Sequence, residues 1–228
     1  MVSPLLHTLR DGILDAVYPP TAPFDPSRAT LLDEPCCHRC GYPFEIDMGA
    51  TTCGPCLAHP PRYRSARAAF GYDDAVRAPI LAFKHGGRTA NLDLFARQMM
   101  RAGRSLFKDS PTLVPVPLHP SRLRKRRFNQ AALLAQRVGK LADIPVDTDT
   151  LLRTRRTDSQ GSKSAVARKR NVRAAFHAID PPAHVILVDD VMTTGATLDA
   201  CALALHRAGT RTVDALTLAR VVRARESK

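Results

Sequence analysis

The chain has 228 residues, a formal net charge of +13 and 44% hydrophobic residues, with no Trp. That length suits one domain of moderate size with a small appendage, and the apolar content is enough for a real core. No stretch reaches the ~20 consecutive apolar residues of a membrane helix, and the amino-terminal segment lacks the basic start and unbroken apolar run of a secretory signal, so no membrane span and a cytoplasmic location are expected.

The charge is unevenly placed. Residues 1–60 carry three basic and seven acidic side chains, a balance of −4, so the remainder carries +17. One basic cluster is Arg122, Arg124, Lys125, Arg126 and Arg127, and the stretch 153–173 holds eight basic residues against one acid, Asp158. Such patches favour polyanions, either pyrophosphate or nucleic acid. An Arg-rich composition on solvated faces accounts for part of the surplus.

The first segment has a mildly amphipathic helical pattern through Leu5, Leu6, Leu9, Ile13, Leu14 and Val17. Pro19, Pro20, Pro23 and Pro26 end it, so residues 1–30 read as a helix and linker. Four cysteines follow as Cys37-x2-Cys40 and Cys53-x2-Cys56, with twelve residues between the pairs. Each pair can form a knuckle whose thiolates face one metal, and Gly41 lies where that turn needs a permissive φ. Two knuckles suit a tetrahedral four-sulfur Zn2+ site of structural type, with no open position for chemistry. Disulfides and a redox pair are the competing readings. Cys36 lies beside Cys37 and leaves a Cys36/Cys40 pairing open; His38 is a further candidate ligand. Residues 31–61 are thus expected to form a zinc ribbon, 62–222 the main domain and 223–228 a basic tail.

From about Arg67 the run ARAAFGY reads as an edge strand, and 73–85 as a helix kinked or broken at Pro79. A second helix is expected over 90–105, a buried strand over 112–116, a basic loop through Arg122–Arg127, a helix over 129–141 and a strand within 144–152. A basic helix over 164–172, a central strand at 185–188, a helix over 196–207 with Cys201 in the core, and a closing strand at 212–218 complete the alternation. That order predicts an α/β domain with a mainly parallel sheet flanked by helices.

The richest segment is HVILVDDVMTTGATLDA, from His184 to Ala200. Four apolar residues run into Asp189 and Asp190, then a Thr/Gly turn, then a helix. Two acids after a buried strand are costly unless something uses them. Neighbouring carboxylates suit the vicinal hydroxyls of a ribose, and loop N–H groups at a helix start suit its 5′-phosphate. The plain alternative is a strand, turn and helix capped by Asp190 or Thr194.

These residues resemble the phosphoribosyl-pyrophosphate (PRPP) loop of type I phosphoribosyltransferases. The resemblance implies that fold, with Asp189 and Asp190 as catalytic carboxylates and Val191, Met192, Thr193, Thr194, Gly195, Ala196 and Thr197 binding phosphate. With the cysteine pairs, AFKHGGRT (82–89), PVPLHPSRLRKRRFNQ (115–130) and RTRRTDSQGSKSAVARKRNVRAAF (153–176), the chain is similar to the ComF family over roughly 37–220. Those proteins join a four-cysteine zinc ribbon to a phosphoribosyltransferase-like domain and are associated with competence and incoming single-stranded DNA.

The resemblance implies PRPP–Mg2+, or another phosphoribosyl compound, as ligand. Leu118, His119, Arg122, Arg124, Arg126 and Arg127 would approach its pyrophosphate. A lid at 154–164 would add Gln160 and Lys163, with Arg168 beyond it and Arg153, Arg155 and Arg156 nearby. Lys84 and His85 would line the opposite side. Two departures add positive charge: Arg127 stands where the family commonly has Gly, and Lys163 where it tends to be apolar. The base-recognition element is not visible. The alternative to a phosphoribosyltransferase is a non-catalytic single-stranded-DNA-binding or adaptor protein on the same scaffold, with a competence helicase as a partner for the ribbon. The aromatics near relevant segments are Tyr42, Phe44, Tyr63, Phe70, Tyr72, Phe83 and Phe128.

Overall fold

The structure is a computed structural model that describes residues 24–45, 49, 51–86, 89–154 and 175–222, with the backbone alone at 85, 86 and 125. The expected amino-terminal helix, the basic helix at 164–172 and the tail at 223–228 lie outside these residues.

Four strands form one all-parallel sheet: β1 (Ala66–Gly71), β2 (Thr112–Pro115), β5 (His184–Met192) and β6 (Thr212–Arg220), in the order β1-β6-β5-β2. Runs such as VILV and VDALTLA are apolar on both faces because both faces are covered. Val185 and Leu187 point to one layer with Cys56 of α1 (Gly54–Ala58) and with Leu198, Cys201 and Leu205 of α6 (Ala196–Arg207). Ile186 and Val188 point to the other, with Ile80 and Phe83 of α2 (Asp74–Gly86), Phe95 and Met99 of α3 (Leu92–Gly103) and Leu134 and Val138 of α5 (Gln130–Ala142). This is the mainly parallel α/β sheet flanked by helices that the alternation of elements predicts.

Several local expectations change. Helix α2 runs unbroken through Pro79, because the buried Val76, Ile80 and Phe83 anchor it on both sides of the lost hydrogen bond. The basic loop is a helix, α4 (Pro120–Arg126): His119 caps it through Nδ1, which accepts from Ser121 N–H at 3.2 Å, and Pro120 occupies its first turn. The strand expected at 212–218 is longer and lies inside the sheet, between β1 and β5. In 144–152, Val146 makes one parallel bridge to Leu113, while Leu151 opens β3 (Leu151–Arg153), which pairs antiparallel with β4 (Phe176–Ala178) in a separate two-stranded ribbon.

Helix α4 ends on Arg127, whose φ of 68° is left-handed. A side chain with a Cβ pays roughly 1–2 kcal/mol in that region, where glycine is unstrained. Replacing Arg127 with Gly is expected to raise stability by about 1 kcal/mol in urea denaturation, whereas Arg127→Ala leaves it unchanged.

Candidate functional site

Strand β5 continues past the point where the sequence pattern ended it, so Asp189 and Asp190 lie within its carboxyl half rather than after it. Backbone pairing to β6 persists there: Asp189 opposes Thr217 and Met192 opposes Arg220. The chain then turns through exposed Thr193 and Thr194 to buried Gly195, which caps α6. Gly195 has φ 76°, and a Cβ there would lie 2.8 Å from Met192 Cε and 3.0 Å from the Tyr63 hydroxyl. Only glycine allows both this backbone and this approach. Among the described residues no side chain caps α6 beyond a 3.4 Å contact from Ala196 N–H to Thr194 Oγ1.

Three distant segments meet at the acids. Lys84, near the end of α2, reaches Asp190 at 3.1 Å. The buried Gln130 amide donates to the Lys84 carbonyl (3.2 Å) and accepts from Arg126 Nη1 (3.1 Å), which ties α2, α4 and α5 together. Arg126 lies close enough to Asp190 and Arg122 to feel both charges; burial lowers its pKa and Arg122 adds to this, against Asp190. Asn129 caps α5 through Ala131 N–H (3.1 Å) and donates to Val116 O (3.0 Å), fixing the loop after β2. From the ribbon, Arg153 stacks over Phe176 at 5.3 Å, and burial with repulsion from Arg122 lowers its pKa.

Of the residues singled out in the sequence, Asp189, Asp190, Arg122 and Arg126 come together with Lys84 and Arg153. Leu118 and His119 are partly exposed at the mouth of the preceding loop, His119 being used as the α4 cap, while Arg124 and Arg127 are exposed. Gln160, Lys163, Arg168 and the lid beyond Thr154 lie outside the described residues, as does the His85 side chain.

The acid pair is not symmetric. Asp190 has Lys84, whereas burial and the neighbouring Asp190 carboxylate push Asp189 up to about 7, against a hydrogen bond from Asp190 N–H and the charges of Lys84 and Arg153. A raised carboxyl holds a proton in the fold that the unfolded chain releases. Its stabilising contribution is complete below the ordinary value near 3.8 and is lost as pH rises through about 7. Asp189→Asn removes this loss. The stability gap between variant and parent is expected to widen in the variant's favour by roughly 1–4 kcal/mol from about pH 4 to about pH 8 in urea titrations; a flat gap would mean both acids ionise normally.

The four sulfurs of Cys37, Cys40, Cys53 and Cys56 all lie within 4.8 Å of one another. Cys40 and Cys53 are 3.7 Å apart, close to the ~3.8 Å edge of a tetrahedron of sulfurs around Zn2+. The donor set and spacing therefore fit a structural zinc site. Gly41 turns the first knuckle at φ 66°, where a Cβ would lie 2.6 Å from the Ala66 carbonyl oxygen. Cys53 N–H donates to Cys37 Sγ at 3.3 Å. Cys36 is buried outside the cluster and bridges Pro43, so Cys37 and not Cys36 joins the four; His38 is exposed.

The cluster is not a separate bead. Cys37, Cys40 and Cys56 share one apolar layer with Tyr63, Val185, Leu187 and Leu198. The strap into β1 is pinned by Arg62 to Asp199 of α6 (2.7 Å) and by Arg64 to Asp214 of β6 (2.6 Å). Asp214 is fully buried and also accepts from Ser65 N–H (3.1 Å), with His184 Nε2 at 2.9 Å. None of Arg62, Arg64, Asp214 or His184 stood out in the sequence, because their partners are more than 100 residues away or on a neighbouring strand. Arg220 is the clearest omission, and the signal was there: a cation ending the apolar run LTLA.

The fold and site define a parallel α/β protein with a thiolate cluster packed on one face of its sheet and a vicinal acid pair, flanked by cations, at the carboxyl edge. No protein-family model matches the chain. The DNA utilization protein YhgH of Shigella flexneri is 32% identical over 203 residues, covering 86% of this chain and 88% of that protein. Competence protein F of Haemophilus influenzae is 32% identical over 196 residues, covering 82% and 85%. A solved allosteric regulatory enzyme of purine biosynthesis aligns with 56% of this chain and 25% of its own at 18% identity and a TM-score of 0.35, a likeness too slight to carry an argument. The chain belongs to the ComF family. Among the described residues no helix is long and apolar enough to cross a membrane.

Proposed function

We propose that the carboxyl edge of the sheet binds PRPP with Mg2+, or a closely related phosphoribosyl compound, and that the protein serves competence by handling internalised single-stranded DNA. The observation that supports this most is the convergence of Lys84, Arg126 and the Asp189–Asp190 pair beside the Thr/Gly turn that opens α6. In this reading Asp189 and Asp190 accept hydrogen bonds from the two ribose hydroxyls. The N–H groups from Met192 to Thr197, the hydroxyls of Thr193, Thr194 and Thr197 and the dipole of α6 hold the 5′-phosphate. Arg122 and Arg126 face the pyrophosphate, with Gln160, Lys163 and Arg168 as its remaining candidates, and Lys84 shifts from Asp190 towards the ligand. Mg2+ would be held chiefly by ligand oxygens and water. In a transfer step the bond from C1 to pyrophosphate breaks, pyrophosphate leaves with the electron pair, and a nucleophile bonds to C1. The carboxylates would stabilise positive charge at C1 and the cations the departing oxygens. The cysteine cluster would carry one structural Zn2+.

A calorimetric titration of PRPP–Mg2+ into the zinc-loaded protein and into Asp190→Asn tests the reading. Binding that weakens at least about tenfold in the variant is expected; no binding to either protein rejects the pocket. Release of pyrophosphate separates turnover from binding alone.

A non-catalytic DNA-binding reading is favoured by the names of the relatives and by the basic surplus beyond residue 60. Every aromatic ring among the described residues is buried or partly buried. Binding to single-stranded DNA would then rest on phosphate contacts rather than base stacking, with a steep loss of affinity as salt rises.

A further inference from the structure

Arg220 ends β6 at the seam between the thiolate cluster and the Thr/Gly turn. It is 7% exposed, an expensive position for a cation without partners. Its partners lie on both sides of the seam. Nη1 donates to the Cys40 carbonyl oxygen at 2.7 Å and contacts Met192 Sδ at 3.0 Å, while Nη2 points to Cys40 Sγ at 3.5 Å. The guanidinium lies over the Tyr42 ring at 5.5 Å, and Nε has no partner among the described residues. On the far side, Val221 N–H donates to the Met192 carbonyl at 2.9 Å, and Met192 packs where a Cβ of Gly195 would be. One planar group thus touches a residue of the cysteine cluster and the residue that shapes the turn.

We propose that Arg220 is a positioning residue that makes the conformation of the 192–197 turn depend on occupancy of the cysteine site. Four thiolates around one Zn2+ leave a net charge of about −2, and Arg220 is the described cation hydrogen-bonded to them. A metal-bound Cys40 cannot shift, so the fork that grips it is fixed, and Met192 is fixed through the fork. Emptying the site frees Cys40, and the turn loses its floor. Arginine serves where lysine would not, because the contact needs two donor nitrogens a fixed distance apart. The inference deepens the reading of the turn as a phosphate site, but its test needs no ligand and so fails or survives separately from that reading.

The test is amide hydrogen exchange followed by mass spectrometry on the full chain, zinc-loaded and chelator-stripped, for the parent, Arg220→Met and Arg220→Lys. Peptides covering 191–198 report the turn, and peptides of α5, on the other face of the sheet, report the fold. In the parent, stripping is expected to speed exchange of the turn at least about tenfold more than it speeds exchange of α5. Zinc-loaded Arg220→Met is expected to exchange its turn already at the stripped rate and to release zinc to a chromogenic chelator about tenfold faster. If that variant also loses α5 protection, Arg220→Lys decides: a turn uncoupled from the metal with α5 intact supports the inference. A parent turn indifferent to metal, or a metal-dependent turn retained in whichever variant keeps α5 protected, overturns it.

Discussion

Replacing Cys40 with Ser is expected to empty the cysteine site and remove most of the stability of the protein. Structural Zn2+ in four-thiolate sites contributes roughly 10–16 kcal/mol of apparent binding energy, comparable with the ~5–15 kcal/mol net stability of a whole domain. The loss would not stay local here. Cys37, Cys40 and Cys56 are core residues of the same layer as Val185, Leu187 and Leu198, and Ala66 N–H at the start of β1 donates to the Arg39 carbonyl between the first two ligands (2.8 Å). Burial pushes the Cys37 thiol up, but backbone N–H groups of Cys40, Cys53 and Arg39 outweigh it and bring it down to about 7. The measurement pairs metal content by mass spectrometry with thermal melting, with and without chelator. One zinc per chain in the parent, little in Cys40→Ser, and a melting midpoint lower by more than about 10 °C are expected. Cys36→Ser should leave the metal content unchanged, since Cys36 lies outside the cluster. A Cys40→Ser protein that keeps its metal and its midpoint would reject the site.

Asp214→Ala is expected to cost about 3–5 kcal/mol, the usual penalty for removing one partner of a buried ionic network. The carboxylate is fully buried at the start of β6 and takes two bonds from Arg64, one from Ser65 N–H and one contact from His184. These partners join the strap from the cysteine cluster, β5 and β6. Alanine leaves His184 buried without its acceptor and lets the strap lift. Guanidinium denaturation reads the cost, and Asp214→Asn, which keeps the shape and one acceptor, should lose less. A loss under about 1 kcal/mol in Asp214→Ala would mean that water replaces the carboxylate without strain.

The parts of the chain with strong local signals were legible. The buried parallel strand at 185–188, the helix from Ala196 and the helix near 130–141 each carry their period or their cap in consecutive residues. The cysteine spacing predicts the cluster because a knuckle is a short-range object. The structure departs from the expectations where packing overrides a local rule, or where one local signal outweighs another. Pro79 does not break α2 because packing on both sides holds it, and the run of basic residues at 122–126 is helical because its capping and propensity are good whatever its charge.

By itself, then, the sequence determined the alternation of strands and helices, the two cysteine knuckles that face each other and the acid pair that follows the apolar run at 185–188. All of these depend on residue type at short spacing. The tertiary structure alone decided the strand order, which places β6 inside the sheet, and the choice of Cys37 over Cys36. It alone paired Lys84 with Asp190, tied Gln130 to both Lys84 and Arg126, and set Arg220 between Cys40 and Met192. Those contacts join residues that are far apart in the chain. Which of many exposed cations becomes a partner is set by how the layers stack, and no local pattern encodes that.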